Sequence, residues 1–310
     1  MAINKWVGGD VGGTTDPTIG ANWSTAAIPA DGETIVFPAT AGYACDGGDL
    51  TNGGAIQFVG FIIEEGYAYQ IGSLAAYLQI DLLDAAAYYD VEIAATTSQV
   101  FLDVDNYHRI VVTRSTAQST GQYGVNLIGL HDADDTAGRG TIYVACANGA
   151  STVGIGANTG EDMEVNKIVV TGGTCTVGDL VTEHDDAAAP DVEVTNGTLR
   201  CYCPVGTYDV LGGLVYHEDG LVTTLNADGG IVYYKSDGTA TTVNIQGKVD
   251  CTLDLRGRTW TNCNIYRGGS LLDPYKTLTL TNDIDLEGCG IEDIALDLGT
   301  HLTLARSAIV

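Results

Sequence analysis

Along the second half of the chain, apolar and polar residues alternate one by one in short runs, and glycines interrupt the runs at near-regular intervals. The runs are Lys167–Val177, Asp191–Cys203, Tyr208–Tyr216, Val222–Tyr234, Thr242–Leu253 and Cys263–Leu272. A period of two belongs to a strand with one buried face. Each run divides into a strand, a glycine turn and a second strand, with turn glycines read at Gly173, Gly197, Gly213, Gly230, Gly247 and Gly269. The intervals are closest to equal from Gly197 through Gly213 and Gly230 to Gly247, and wider at either end. A loose repeat of about 20 residues made of strands is the signature of a β-solenoid. Right-handed crossovers are the default between parallel strands, so the expected fold is an all-β, right-handed parallel β-helix. The alternation places Val170, Cys175, Val194, Leu199, Cys201, Val210, Leu214, Val232, Val243, Ile245, Cys251, Leu253 and Leu280 on the inward face.

The first half carries the same pattern less regularly. Val91–Ile93, Val100–Val104, Ile110–Thr113, Val125–Leu130 and Thr141–Cys146 read as strands. Polar turns separate them at Ser115–Gln122 and His131–Gly140, and Thr182–Pro190 reads as a loop extruded from one rung. Leu78–Tyr88 is the one stretch that reads as a helix, or as a loop with a helical turn. From Thr277 onward the alternation continues to the last residues, and no composition break marks a second compact domain. Residues 1–40 are read as an N-terminal capping or attachment segment and residues 41–310 as the solenoid body. About 12 rungs at about 4.8 Å give an expected rod of about 55–60 Å.

Charge narrows the partners. Thirteen Lys and Arg against 40 Asp and Glu leave a formal charge of −27. Such a surface repels phosphate backbones and anionic membranes, so neither nucleic acid nor a membrane is an expected partner. Carboxylates in this excess also keep an apolar-cored rod soluble. No apolar signal segment follows Met1, which points to synthesis and folding in a cytoplasm. The eight cysteines are therefore expected as reduced thiols, most of them packed in the core. In Cys201-Tyr202-Cys203 both sulfurs fall on one strand face, a spacing unlike that of zinc knuckles.

The N-terminal segment holds the specific motifs. Met1-Ala-x-x-Lys5-Trp6-x-Gly8 is followed by Asn22-Trp23-Ser24, then by a Pro29-x-Asp31-Gly32-Glu33 turn leading into an apolar strand that ends at Phe37. This arrangement, with Ala55–Tyr67, Ile71–Ser73 and Tyr77–Ile80 after it, resembles a group of β-solenoid proteins encoded by tailed phages and prophages. The resemblance covers roughly residues 1–80 by motif and the rest by architecture alone. It implies a virion structural protein that brings no catalytic residues and no cofactor. A capsid decoration or cement protein is the first expectation, docked on the major capsid protein or another virion protein as a homo-oligomer, a trimer. A tail fibre or spike is the alternative, as is a surface adhesin binding host glycans or receptors, because bacterial β-helical adhesins share the Asn-Trp-Ser and Pro-x-Asp-Gly pattern. Trp6, Trp23 and Phe37 are the candidate partner-binding residues, and the same aromatics serve equally as a cap on the end of the stack.

Other clusters carry less. His131–Asp135 offers Asp132, Asp134 and Asp135 to a hard cation but lacks the EF-hand pattern. Glu183–Asp186 and His217–Asp219 read likewise as solvated turns, and no metal site is assigned. Asp103/Asp105 and Asp283/Asp285 have the spacing a glycanase needs, but 40 acidic residues make such pairs common in a stack of strands. Tyrosines 77, 88, 89, 107, 208, 216, 233 and 234 are read as strand residues of high β-propensity rather than a sugar platform.

Overall fold

The computed structural model describes residues 2–9, 14–83, 90–95, 97–119, 121–130, 140–158, 160–182 and 189–297. Over these residues the fold is all-β, with 24 strands joined in one sheet and two further short strands, Met163–Glu164 and Val181–Thr182, paired apart from it. Every pairing between named strands is parallel, and each strand pairs with the strand one turn of the coil further along the chain. The result is a solenoid-like coil with two long ladders. Among the described residues its helical content is two single 3-10 turns, Gly20–Asn22 and Ile291–Asp293.

The first ladder begins at Ile3–Lys5, passes through Thr34–Phe37 and Gly60–Ile63, and ends at Ile284–Glu287. One of its columns reads Ile35, Phe61, Val91, Ile110, Ile142, Ile168, Val192, Tyr208, Leu225, Val243, Cys263 and Ile284. All twelve side chains are buried. Each contributes on the order of 1.5–3 kcal/mol of burial, and each also covers the residue one rung below. The second ladder runs from Gly48–Asp49 to Ala295–Asp297. Its inward column includes Val100, Val125, Val153, Cys175, Leu199, Val215, Val232, Cys251 and Leu271. Twelve successive pairings from Ile3–Lys5 to Ile284–Glu287, at about 4.8 Å each, give a first ladder about 58 Å long.

The corners between the ladders explain the glycine repeat. Gly173, Gly197, Gly213 and Gly230 all have positive φ, between 78° and 87°. They stack: a Cβ on Gly197 would lie 2.7 Å from the Gly173 carbonyl oxygen, and one on Gly213 would lie 2.7 Å from that of Gly197. Further along, Gly268 sits over the Gly247 carbonyl. Gly268, and not Gly269 as the spacing suggested, is the turn glycine there, because only Gly268 carries the positive φ.

Outward positions pair among themselves. Asn226 donates to Asp209 at 2.8 Å, Asn244 to Asn226 at 2.8 Å and Asn264 to Asn244 at 2.7 Å. Each amide thus passes its hydrogen bond along the rod, satisfying groups that a flat polar face would leave to solvent.

The inward set holds with two differences. Leu280 is half-buried and packs against the core. Leu214 turns outward and Val215 turns inward. The register shifts between Val210 and Leu214, across the Gly212-Gly213 corner, and an odd step there exchanges the faces. The helix expected from Leu78 is also corrected. Leu78–Asp81 is a strand paired with Leu102–Asp105, and Leu78, Ile80 and Leu82 are all buried. The remainder of that stretch, from residue 84, lies outside the described residues.

Candidate functional site

The three aromatics singled out at the N-terminus lie together inside the coil. Trp6 and Trp23 meet edge to face at 5.2 Å, and Phe37 lies 5.8 Å from Trp6 and 6.1 Å from Trp23. Their polar edges are satisfied: Trp6 Nε1 donates to the Tyr43 carbonyl at 3.2 Å and Trp23 Nε1 to the Pro17 carbonyl at 2.8 Å. All three side chains are at most 1% exposed, so none presents a surface to a partner. The geometry is that of a lid over the first rungs. Ile3–Lys5 and Thr34–Phe37 are themselves the first two strands of the ladder, so the lid is continuous with the body. Among the described residues of this segment, the large apolar side chains that are exposed are Ile3, Val7 and Ile28.

His217 is a second correction. It is not in a solvated turn; it is buried, paired in register with Cys201 and Tyr234. Its Nε2 donates to the Gly220 carbonyl at 2.9 Å, while Nδ1 has no partner. Cys201 and Cys203 bring their sulfurs to 3.6 Å beneath it. The contact with Cys201, then burial, pushes the Cys203 thiol well up. A thiol beside an imidazole is a nucleophile in an open site, but these sulfurs are fully buried, so the cluster acts as core packing. All eight cysteines are free, seven of them buried and Cys289 half-buried.

A run of polar and aromatic groups lies on the outer face of the second ladder, buried at its start and opening to solvent from Arg200 onward. One outward column there reads Phe101, Asn126, Gly154, Thr176, Arg200, Tyr216 and Tyr233. Arg200 lies over the Tyr216 ring at 4.2 Å and bonds Glu218 at 2.7 Å. Lys235 joins the same Glu218 oxygen at 3.0 Å, and Tyr216 stacks on Tyr233 at 5.1 Å. At the other end, Tyr77 hydrogen-bonds Glu161, and Asn158 donates to Glu161 at 2.8 Å and to Asn126 at 3.3 Å. Burial first, then the Glu161 carboxylate, raises the Tyr77 hydroxyl well above the ordinary phenol range.

Between these two networks the surface opens into a cleft of about 550 Å³. Thr152, Thr174, Thr176 and Arg200 line it, with Gln118, Gln122, Tyr123 and Tyr202 at its sides. A second hollow of about 360 Å³ shares Tyr123, Thr176 and Tyr202 with the first and extends to Asn158, Asp179 and Asp219. Tyr123 is seated by its neighbour: a Cβ at Gly154 would lie 2.5 Å from its ring, so the glycine leaves the space the ring fills. Neither Tyr123 nor Tyr202 stands out in the sequence, since one ends a polar turn and the other separates two core cysteines.

Of the tyrosines noted from sequence, Tyr107, Tyr208 and Tyr234 are buried, while Tyr88 and Tyr89 lie outside the described residues. Asp103 accepts from Gln79 and Asp105 from the Leu130 amide, and Asp283 and Asp285 are exposed. Asp132, Asp134, Asp135 and Glu183–Asp186 lie outside the described residues, and among the described ones no group of three His, Cys, Asp or Glu is placed to hold a metal ion. No described helix is long and apolar enough to cross a membrane. Compared with known proteins, the chain matches no family model, no curated protein and no solved structure.

Proposed function

We propose that this chain is a non-enzymatic virion structural protein of a tailed phage, a right-handed parallel β-helix that decorates the capsid. The observation carrying this reading is the coincidence of motif and lid. The residues that resemble phage solenoid proteins, Trp6, Asn22-Trp23-Ser24 and the turn before Phe37, are those that close the first end of the coil. A coil sealed at one end can dock there without exposing its core, and it adds buried area across subunit seams of a shell. Three copies packed about a common axis protect one long face of each rod, and a closed ring avoids open-ended growth. The partner is the major capsid protein or a neighbouring virion protein.

Two measurements test this. Mass spectrometry of purified virions should find the chain at a fixed ratio to the shell protein. Light scattering should give a trimer that binds undecorated shells. Because Trp6, Trp23 and Phe37 are core residues, the attachment surface is probed through Val7→Asp and Ile28→Asp, which leave the lid in place. These should weaken shell binding without lowering the melting temperature. A chain absent from virions, or a monomer indifferent to shells, would sink the proposal.

A further inference from the structure

The cleft on the second ladder has the chemistry of a sugar site. Its most telling group is Thr176. This residue is 8% exposed and lines both halves of the cleft. Its hydroxyl bonds no described residue and, unlike the enclosed Tyr208 hydroxyl, is open to the cleft. A ligand hydroxyl lying in the cleft would supply a partner.

The two tyrosines give the ligand flat faces. Tyr202 stands 39% exposed between Cys201 and Cys203, whose buried side chains anchor the backbone on both sides and hold the ring outward. Tyr123 is held by the space over Gly154. Rings fixed in advance lose little entropy on binding and offer broad amphipathic contact.

Charge selects the ligand class. Arg200 is the one cation among the described residues lining the cleft, and Glu218 already neutralises it. Asp179 and Asp219 stand at the other end, on a chain of net charge −27. An anionic polymer is repelled by that field, while neutral hydroxyls find acceptors in the carboxylates and donors in Thr174 and Thr176, the Thr152 hydroxyl being held by the Thr116 carbonyl and the Gly124 amide. Thr152 and Thr174 are register partners on adjacent rungs, so the floor repeats along the rod axis and favours an extended ligand.

We infer that this cleft binds a neutral oligosaccharide laid along the rod axis, with sugar faces on Tyr123 and Tyr202 and a hydroxyl bonded to Thr176. The inference goes beyond shell docking and does not depend on it. The test is calorimetric titration of the full chain with maltohexaose, cellohexaose and mannohexaose at millimolar concentration, with tetragalacturonate as the anionic control. At least one neutral sugar should bind. Tyr202→Ala should weaken it about threefold to tenfold, the range for losing one aromatic contact. Thr176→Val should weaken it about threefold to tenfold by removing the hydroxyl at nearly constant shape. Melting temperatures of both variants should match the parent, and shell binding should be unchanged. Absence of binding by all three neutral sugars, binding of the uronate alone, or affinity indifferent to both substitutions would each overturn the assignment.

Discussion

Replacing Gly213 with alanine tests the stacked corner directly. Two costs arise from the structure. The backbone sits at φ +78°, in the left-handed region, which costs an L-residue about 1–2 kcal/mol. The new Cβ would also lie 2.7 Å from the Gly197 carbonyl oxygen and 3.0 Å from the Asn196 carbonyl carbon. Both are backbone atoms of the rung below, held by the ladder on either side of the corner, so neither can swing away as a side-chain tip would. Forcing such an overlap costs about 1–3 kcal/mol. The two together come to about 2–5 kcal/mol.

Gly32→Ala supplies the control. Gly32 has a nearly identical φ of +74° but nothing within 4 Å of its would-be Cβ. It keeps the conformational cost of about 1–2 kcal/mol and lacks the steric one. The entropy lost by the unfolded chain on Gly→Ala is common to both and cancels. At roughly 2 °C per kcal/mol for a chain of this size, Gly213→Ala should melt about 4–10 °C lower and Gly32→Ala about 2–4 °C lower. Scanning calorimetry of the two variants beside the parent reads the difference, and hydrogen exchange of the Leu211–Val215 amides shows where the loosening begins. Equal losses, or an unchanged Gly213→Ala, would mean that the corner glycines do not stack on one another.

Three further outcomes are expected. Val243→Asp puts a lone carboxylate between Leu225 and Cys263, so it should cost more than about 4 kcal/mol and prevent purification of folded protein; a normal melting curve would show the register to be wrong. Burial pushes the Asp254 carboxyl up, but hydrogen bonds from the Arg256 amide and the Arg258 guanidinium outweigh it and hold the group below the ordinary carboxylate range. That stability is complete above the ordinary range near 4 and disappears as pH falls through the depressed value; Asp254→Asn should therefore lose about 1–2 kcal/mol at neutral pH, a value discounted for its partial exposure, and the gap should close in acid. A gap constant from neutral pH to pH 2 would contradict the ion pair with Arg258. Brief alkylation of the native protein should label Cys289 alone, and denaturation without reductant should bring the count to the eight free thiols; six adducts after denaturation would reveal a disulfide.

Strand placement was legible in the sequence wherever one ladder's alternation runs unbroken. Cys175, Leu199, Val232 and Cys251 follow from period two alone and do face inward. The reading failed where something other than local period decides the face. At Leu214 a two-glycine corner resets the alternation, and no propensity marks which side the chain resumes on. At Leu78–Asp81 the residues Leu78, Ile80 and Leu82 fit a strand, while Leu78, Leu82 and the alanines beyond them fit a helix; pairing with Leu102–Asp105 decides. His217 looked like part of an acidic turn because its neighbours Glu218 and Asp219 are charged, yet it closes the second half of a strand and inherits that strand's inward phase. The tryptophans were visible as unusual, but the choice between lid and contact depends on how Asn22 and Pro17 fold back over them. Tyr123 and Tyr202 are distant in the sequence, and only the coil register brings them to one cleft.

The position of that cleft follows from unequal rungs. Tyr208 pairs with Leu225 after a short step along the chain, which leaves room for two strands and two tight corners. Ile110 pairs with Ile142, Ile142 with Ile168 and Ile168 with Val192, each a much longer step, so these turns carry residues the ladders cannot use. The wall at Gln118, Gln122 and Tyr123 comes from the first of them, Asn158 from the second and Asp179 from the third. Val192 then pairs with Tyr208 after the shortest step of all, and this lean rung contributes Arg200 and Tyr202 with no long loop to cover them. A hollow forms where tall rungs step down to short ones, because the excess chain stands proud on one side and is missing on the other. The regular rungs beyond it cannot build such a wall, so in this coil the cleft lies where irregular rungs meet regular ones, and the repeat supplies the rigid floor on which the irregularity is held.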